Sequence, residues 1–270
     1  MPLFRRRSAP SGSAPEAIDA AQSALDDGEP REALRWADRA VILARRDGAP
    51  DLVGEGHVLR AASLVDQERF ADAERAAAEA CRLLPESADA WSERAVAAYR
   101  LGWFEDAATH AERALDIDPD DAAGWHLLGR ALVWQERRRE GDEALRRAAE
   151  LDPESYVKPV RIAAAEFDRI AASVWREIPS RFRERMGNTM VVAEELPDPD
   201  EVAEGFDPDT LGVYEGATAL HDDAPERIVL FQRNHETVCG TLGTLIEEVR
   251  RTLLHEVGHH FGMEEHDLPY

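Results

Sequence analysis

The chain has 270 residues, 44% of them hydrophobic, and carries 32 basic against 55 acidic side chains, for a formal charge of -23. That balance argues against a general nucleic-acid binder and against a surface drawn to anionic lipid, and no apolar run approaches the roughly 18 to 20 residues a membrane helix needs. The two cysteines, Cys81 and Cys239, lie far apart and outside any CxxC pairing. Neither a disulfide framework nor a cysteine zinc knuckle is indicated, and a reducing compartment fits best.

Residues 1–15 hold Arg5, Arg6 and Arg7 followed by Ser, Ala, Gly and Pro with no apolar run, a composition that predicts a disordered tail rather than a secretory signal. A soluble, cytoplasmic protein is expected. From there to about residue 153 the chain is periodic. Pro85, Pro119 and Pro153 stand 34 residues apart, as do Trp91 and Trp125, with His57 one period earlier. Small residues keep the same step: Ala61, Ala95 and Gly129; Ala73, Ala107 and Gly141; Ala80, Ala114 and Ala148. The spacing predicts a pair of antiparallel helices per unit, in which small residues let the helices approach, Phe70 and Phe104 fill the gap, and proline stops the second helix. The breaks between paired helices fall at Gln67-Glu68 and Gly102, and a weaker first unit runs from about Ala17 to Ala40 with Gly28 at its turn.

This pattern resembles the tetratricopeptide repeat, and an all-α array of helical hairpins is expected over residues 16–153. Such arrays offer a concave face, built from the first helix of each pair, that holds a peptide or an unknown protein partner. The same array could instead pack only on its C-terminal neighbour. Trp91 and Trp125 are read as core, and no Lys and Asn set suited to clamping a C-terminal carboxylate is present.

Residues 154–270 leave the period and read as a small α+β domain with a short mixed sheet, making the whole an α-rich two-domain protein. Val160, Ile162, Phe167, Ile170, Val174 and Trp175 predict one amphipathic helix from about Pro159 to just before Pro179. Met190 to Ala193 and Arg227 to Phe231 read as short strands, separated by an acidic loop and the LGVYEG segment. The last helix should start near Leu242 to Leu245 and bury Leu245, Val249, Leu253 and Val257.

That helix carries His255-Glu256-Val257-Gly258-His259. Four residues advance a helix by little more than one turn, so both imidazoles project from one face, suited to sharing a Zn²⁺ at roughly 2.0 to 2.1 Å. Glu256 is placed as a general base, not a ligand. Gly262 supplies a bend after which a third ligand can return. Counting as H-E-x-x-H-x-x-G-x-x-E gives that role to Glu265, with His266 as the main rival and Glu264 behind it; His221 or His235 would need an unusual approach. His260 points about 100° away from His259 and is read as packing or supporting the ligands. Leu211, Gly212 and Tyr214 could line a cleft, Tyr214 steadying an oxyanion; a core tyrosine and a turn glycine are the plainer readings. The PERIVLFQRN strand could lie beside the site and pair with an extended peptide.

The stretch from Phe167 to Leu268, with NTMVVAEELP, FDPDTLGVYEG, PERIVLFQRN and EEVRRTLLHEVGHHFGMEEHDL, resembles the short bacterial zincin-like proteins, the minimal zinc metallopeptidases. The resemblance implies zinc held by His255, His259 and an acidic residue after the glycine, where the family usually has Asp and this chain has Glu265. Two functions follow as expectations. One is a zinc-dependent peptide hydrolase whose repeats recruit a protein partner or substrate. The alternative is a non-catalytic adaptor with a structural zinc and a protein-binding repeat groove.

Overall fold

A computed structural model describes residues 12–187, 189–216 and 226–263. The chain divides into two compact units, residues 1–119 and 120–270.

The first unit is three helical hairpins: α1 (Ala14–Asp26) with α2 (Pro30–Arg46), α3 (Pro50–Val65) with α4 (Phe70–Leu83), and α5 (Ala88–Arg100) with α6 (Phe104–Ile117). Ser13 opens α1 through a capping box with Glu16, satisfying two backbone donors that a helix start would leave bare. Each hairpin turns through one left-handed residue. Gly28, Glu68 and Gly102 have φ of 69°, 57° and 75°, and the amides of the turn fold back on the preceding helix, Arg69 N to Leu64 O at 2.9 Å and Trp103 N to Ala98 O at 2.9 Å. The period is therefore a repeated helix stop. Where the sequence drifts out of register, α2 runs on to Arg46, Gly48 makes an extra left-handed turn (φ 67°), and α3 starts at Pro50. Ala61, Ala73, Ala95 and Ala107 are fully buried, and these methyls set the closeness of the paired helices.

The second unit opens with a fourth hairpin, α7 (Ala122–Trp134) and α8 (Arg138–Leu151), turned at Glu136 with φ 59°. Its helices approach closer than alanine allows. A Cβ on Gly129 would meet Gly141 O at 2.8 Å, and one on Gly141 would meet Gly129 O at 2.7 Å. Beyond it come α9 (Ala164–Glu177), α10 (Ser180–Arg183), β1 (Met190–Glu194), α11 (Pro199–Ala203), β2 (Gly212–Glu215), β3 (Arg227–Phe231), α12 (Gln232–Val238) and α13 (Leu242–His260).

The sheet order is β1-β3-β2, with β1 parallel to β3 and β2 antiparallel to it. The register pairs Gly212 with Leu230 and Tyr214 with Ile228. Ile228 and Leu230 face a core formed with Phe167, Ala171 and Val174 of α9, Ile178 just after it, and Leu245, Val249, Leu253 and Val257 of α13. The four α13 residues are the stripe expected from the sequence, each contributing about 1.5 to 3 kcal/mol by burial. The helix expected from Pro159 begins instead at Ala164. Residues 160–162 stay extended because their amides are taken elsewhere, Val160 N by Cys239 O at 2.8 Å and Ile162 N by the Glu236 carboxylate at 3.1 Å.

Glu236 is fully buried and also accepts from Gln232 Nε2 at 2.7 Å, Arg233 Nη1 at 3.2 Å and Arg161 Nη1 at 3.3 Å. It belongs to a chain of five ion pairs, Arg138, Glu195, Arg233, Glu236, Arg161 and Asp142, that is closed into a ring only by the α8 backbone between its two ends. A buried carboxylate is tolerated only when its charge and lone pairs are matched in this way. The ring fastens α8 to the loop after β1 and to α12, so the fourth hairpin and the sheet form one body.

Candidate metal centre on the last helix

Thr241 caps α13 through a box with Thr244, and the helix stops in a Schellman turn. Gly262 is left-handed at φ 73°, its amide bonds His259 O at 2.9 Å, and Met263 N bonds Gly258 O at 3.1 Å. The bend expected at Gly262 is therefore present, immediately after the two histidines.

On this helix His255 and His259 converge. Their rings are 4.6 Å apart between centroids and the two Nε2 atoms are 2.9 Å apart. Zinc held tetrahedrally at 2.0 to 2.1 Å separates two ligand nitrogens by about 3.3 Å, so a small rotation of either ring admits the ion. Two imidazoles are a nitrogen donor set suited to Zn²⁺, and the residues fit the metal. Glu265, His266, Glu264 and His221 lie outside the described residues. Among the described residues no group of three or more His, Cys, Asp or Glu side chains is gathered for a metal. His235 is committed elsewhere: it is fully buried, with Nδ1 3.0 Å from Phe231 O and Nε2 3.1 Å from Thr252 Oγ1, and burial pushes its pKa down to about 4.

Glu256 lies on the buried side of α13, against β2. Its Oε2 accepts the Tyr214 backbone N–H at 2.7 Å. In the antiparallel ladder Phe231 N donates to Leu211 O at 2.8 Å, and alternation then turns the Tyr214 N–H away from β3, to the side of β2 that no described strand pairs with, where Glu256 receives it. Gly212 is a strand residue, not a turn residue, and its lack of a side chain is what permits this closeness. A Cβ there would stand 2.6 Å from Thr252 Cγ2 and 3.0 Å from Val229 O.

The Tyr214 hydroxyl is 2.8 Å from His260 Nδ1, with the rings edge-on at 5.2 Å between centroids. Burial and the nearby Glu226 carboxylate raise the tyrosine pKa. His260 therefore supports the end of α13 through the Tyr214 hydroxyl. Tyr214 thus grips α13 twice, at residues 256 and 260. The expectation that PERIVLFQRN supplies a free edge is corrected: β3 is the central strand, paired on both sides, and the edge beside the site is β2. The sequence signal was present, since Ile228, Val229, Leu230 and Phe231 are all apolar and all buried, the mark of a strand covered on both faces.

Comparison with known proteins agrees with this architecture. Residues 186–270 match the family model described as a zincin-like metallopeptidase, and residues 58–122 match a tetratricopeptide repeat. A 48-residue stretch is 45% identical to the cytochrome c-type biogenesis protein CycH of Pseudomonas aeruginosa; it covers 18% of this chain and 12% of that protein. Among solved structures, MamA 41-end from Desulfovibrio magneticus RS-1 is similar at 24% identity and a TM-score of 0.45, over 54% of this chain and 79% of that one. YrrB, a TPR protein with an unusual peptide-binding site, is similar at 18% identity and a TM-score of 0.36, over 53% and 88%. By the two family models, the chain joins tetratricopeptide repeats to a C-terminal zincin-like domain. No helix among the described residues is long and apolar enough to cross a membrane.

Proposed function

We propose that this protein is a zinc-dependent metallopeptidase whose repeats, residues 16–153, recruit a protein partner or substrate to a zincin-like region, residues 154–270. The observation that carries the reading is the convergence of His255 Nε2 and His259 Nε2 to 2.9 Å on the helix that also presents Glu256. A structural metal needs the two imidazoles but has no use for a carboxylate between them.

His255 and His259 would hold the ion, with Glu265 completing the set and His266 its rival. Zinc, when bound, supplies a Lewis acid that lowers the pKa of water to about 7 and polarises a carbonyl. Glu256 takes a proton from the attacking water at its carboxylate and returns it to the leaving amine. Its aim is fixed by the Tyr214 N–H, which occupies Oε2 and restricts the carboxylate's rotation. An extended peptide laid against β2, the edge beside Glu256, would bring a scissile amide to that carboxylate. Cys81 and Cys239 are free, buried thiols with pKa values pushed up to about 11 by burial, which fits a reducing, cytoplasmic setting and no role in the chemistry.

The test is zinc content and cleavage of a broad peptide library by the full chain and by Glu256→Gln. The proposal expects about one zinc in each and cleavage by the wild type alone. Zinc in both with no cleavage by either would move the assignment to an adaptor with a structural metal.

A further inference from the structure

Arg130, on α7, is a charged side chain whose chemistry the repeat does not explain. One period earlier that position is Val96, and two periods earlier Ala62. Both are small or medium apolar side chains, so hairpin packing does not call for a guanidinium. Here the guanidinium is ion-paired with Asp209, and both side chains are largely withdrawn from solvent, 22% and 34% exposed. Asp209 lies in the segment that feeds β2.

That segment is braced at each step. Asp207 Oδ1 accepts the Asp209 N–H at 2.9 Å, closing a tight turn. Asn234 Nδ2, on α12, donates to Pro208 O at 2.9 Å and Thr210 O at 2.7 Å. Leu211 O accepts from Phe231, and the next residue, Gly212, lies flush on Thr252. Two residues further on, Tyr214 gives its N–H to Glu256. From the ion pair to that N–H is a run of five residues with no slack segment between them.

We infer that Arg130 is a positioning residue for the C-terminal site: by holding Asp209 it fixes the 206–211 segment, and through it the edge strand whose Tyr214 N–H orients Glu256. The last helical pair then acts as a backing plate for the chemistry as well as the end of the repeat array. The charge ring through Arg138 and Asp142 holds α12, which carries Asn234, in the same frame. The claim about strand position stands on geometry alone; its effect on turnover rests on the peptidase reading above.

The experiment uses the full chain with Arg130→Gln, Asp209→Asn, and the exchanged pair Arg130→Asp with Asp209→Arg. Amide hydrogen exchange is read over residues 206–216, with α9 and residues 242–249 of α13, in the same compact unit, as the folding control, beside kcat and KM on any peptide the wild type cleaves. Each single variant should speed exchange across 211–215 by roughly tenfold, the size of a typical coupled pair, while the control helices keep their rates. The exchanged pair should restore protection, and turnover should fall in kcat with KM held. Unchanged exchange at β2 in the single variants, or no recovery in the exchanged pair, would overturn the inference. A wild type that cleaves nothing while β2 still loosens in the single variants would sink the peptidase reading and leave the positioning role standing.

Discussion

Glu93 offers a measurement of how the first unit tolerates its own acidity. It lies partly buried on α5, and burial, followed by the charges of Asp66 and Asp89, pushes its carboxyl pKa up to about 7 from an ordinary 4.5. The unfolded chain therefore ionises Glu93 about 2.5 units earlier than the folded one. The cost to folding is absent below pH 4.5, grows as pH rises, and is complete above about 7. At about 1.36 kcal/mol per unit the ceiling is near 3 kcal/mol, and water reaching the partly exposed carboxyl reduces it to about 1 to 2 kcal/mol. Glu93→Gln keeps the shape and removes the charge, so it should stabilise the α3 to α6 region by that amount at pH 8 and by almost nothing at pH 4.5. Hydrogen exchange of α3 and α5 amides, corrected for intrinsic rates at each pH, reads this directly. Equal protection of variant and wild type at pH 8, or a gain of the same size at both pH values, would refute the reasoning.

Acid should act in the opposite sense on the second unit. His126 and His235 are both held down to about pKa 4 by burial, Arg130 adding to the effect at His126, so stability falls as pH drops from about 6.5 toward 4, by about 2 kcal/mol per histidine at pH 5; urea unfolding of His235→Asn should lose much of this slope. Gly212→Ala forces a methyl onto Thr252 and Val229, which should cost about 1 to 3 kcal/mol in thermal or urea unfolding and lower peptide cleavage by displacing the Tyr214 N–H from Glu256. Glu136, left-handed at φ 59° where Gly102 stands one period earlier, should gain about 0.5 to 1 kcal/mol on replacement by glycine, whereas Gly102→Ala should lose a similar amount, both measured by urea titration.

The repeats were legible because the units use the same kinds of residue for the same tasks: alanine, or glycine in the fourth hairpin, at the helix contact, a left-handed turn, and a proline after the second helix. The final helix was legible for a related reason, its apolar stripe at steps of four and the histidine pair on the face beside it. β2 was not. Four residues containing glycine carry little strand signal, and Gly212 is there for Thr252, forty positions on, a contact no local pattern announces. The start of α9 was missed for the same kind of reason. Val160 and Ile162 continue the helical spacing, yet Glu236 claims the Ile162 amide from 74 residues away. The sequence QRNHETV gives no apolar period for α12, whose buried His235 and Glu236 are held by polar partners instead. The joining of the fourth hairpin to the sheet rests on ion pairs such as Arg138 with Glu195, 57 residues apart. Local chemistry revealed the elements and the motif; the polar contacts that aim the site are long-range.

X-ray absorption at the zinc edge of the purified full chain, loaded with one equivalent of Zn²⁺, interrogates the histidine pair itself. The account predicts two imidazole nitrogens at about 2.0 to 2.1 Å with oxygen filling the rest of the shell, and a drop in imidazole scattering, to one ring or none, in His259→Ala. A wild-type spectrum without histidine scattering, or identical spectra for wild type and variant, would contradict it.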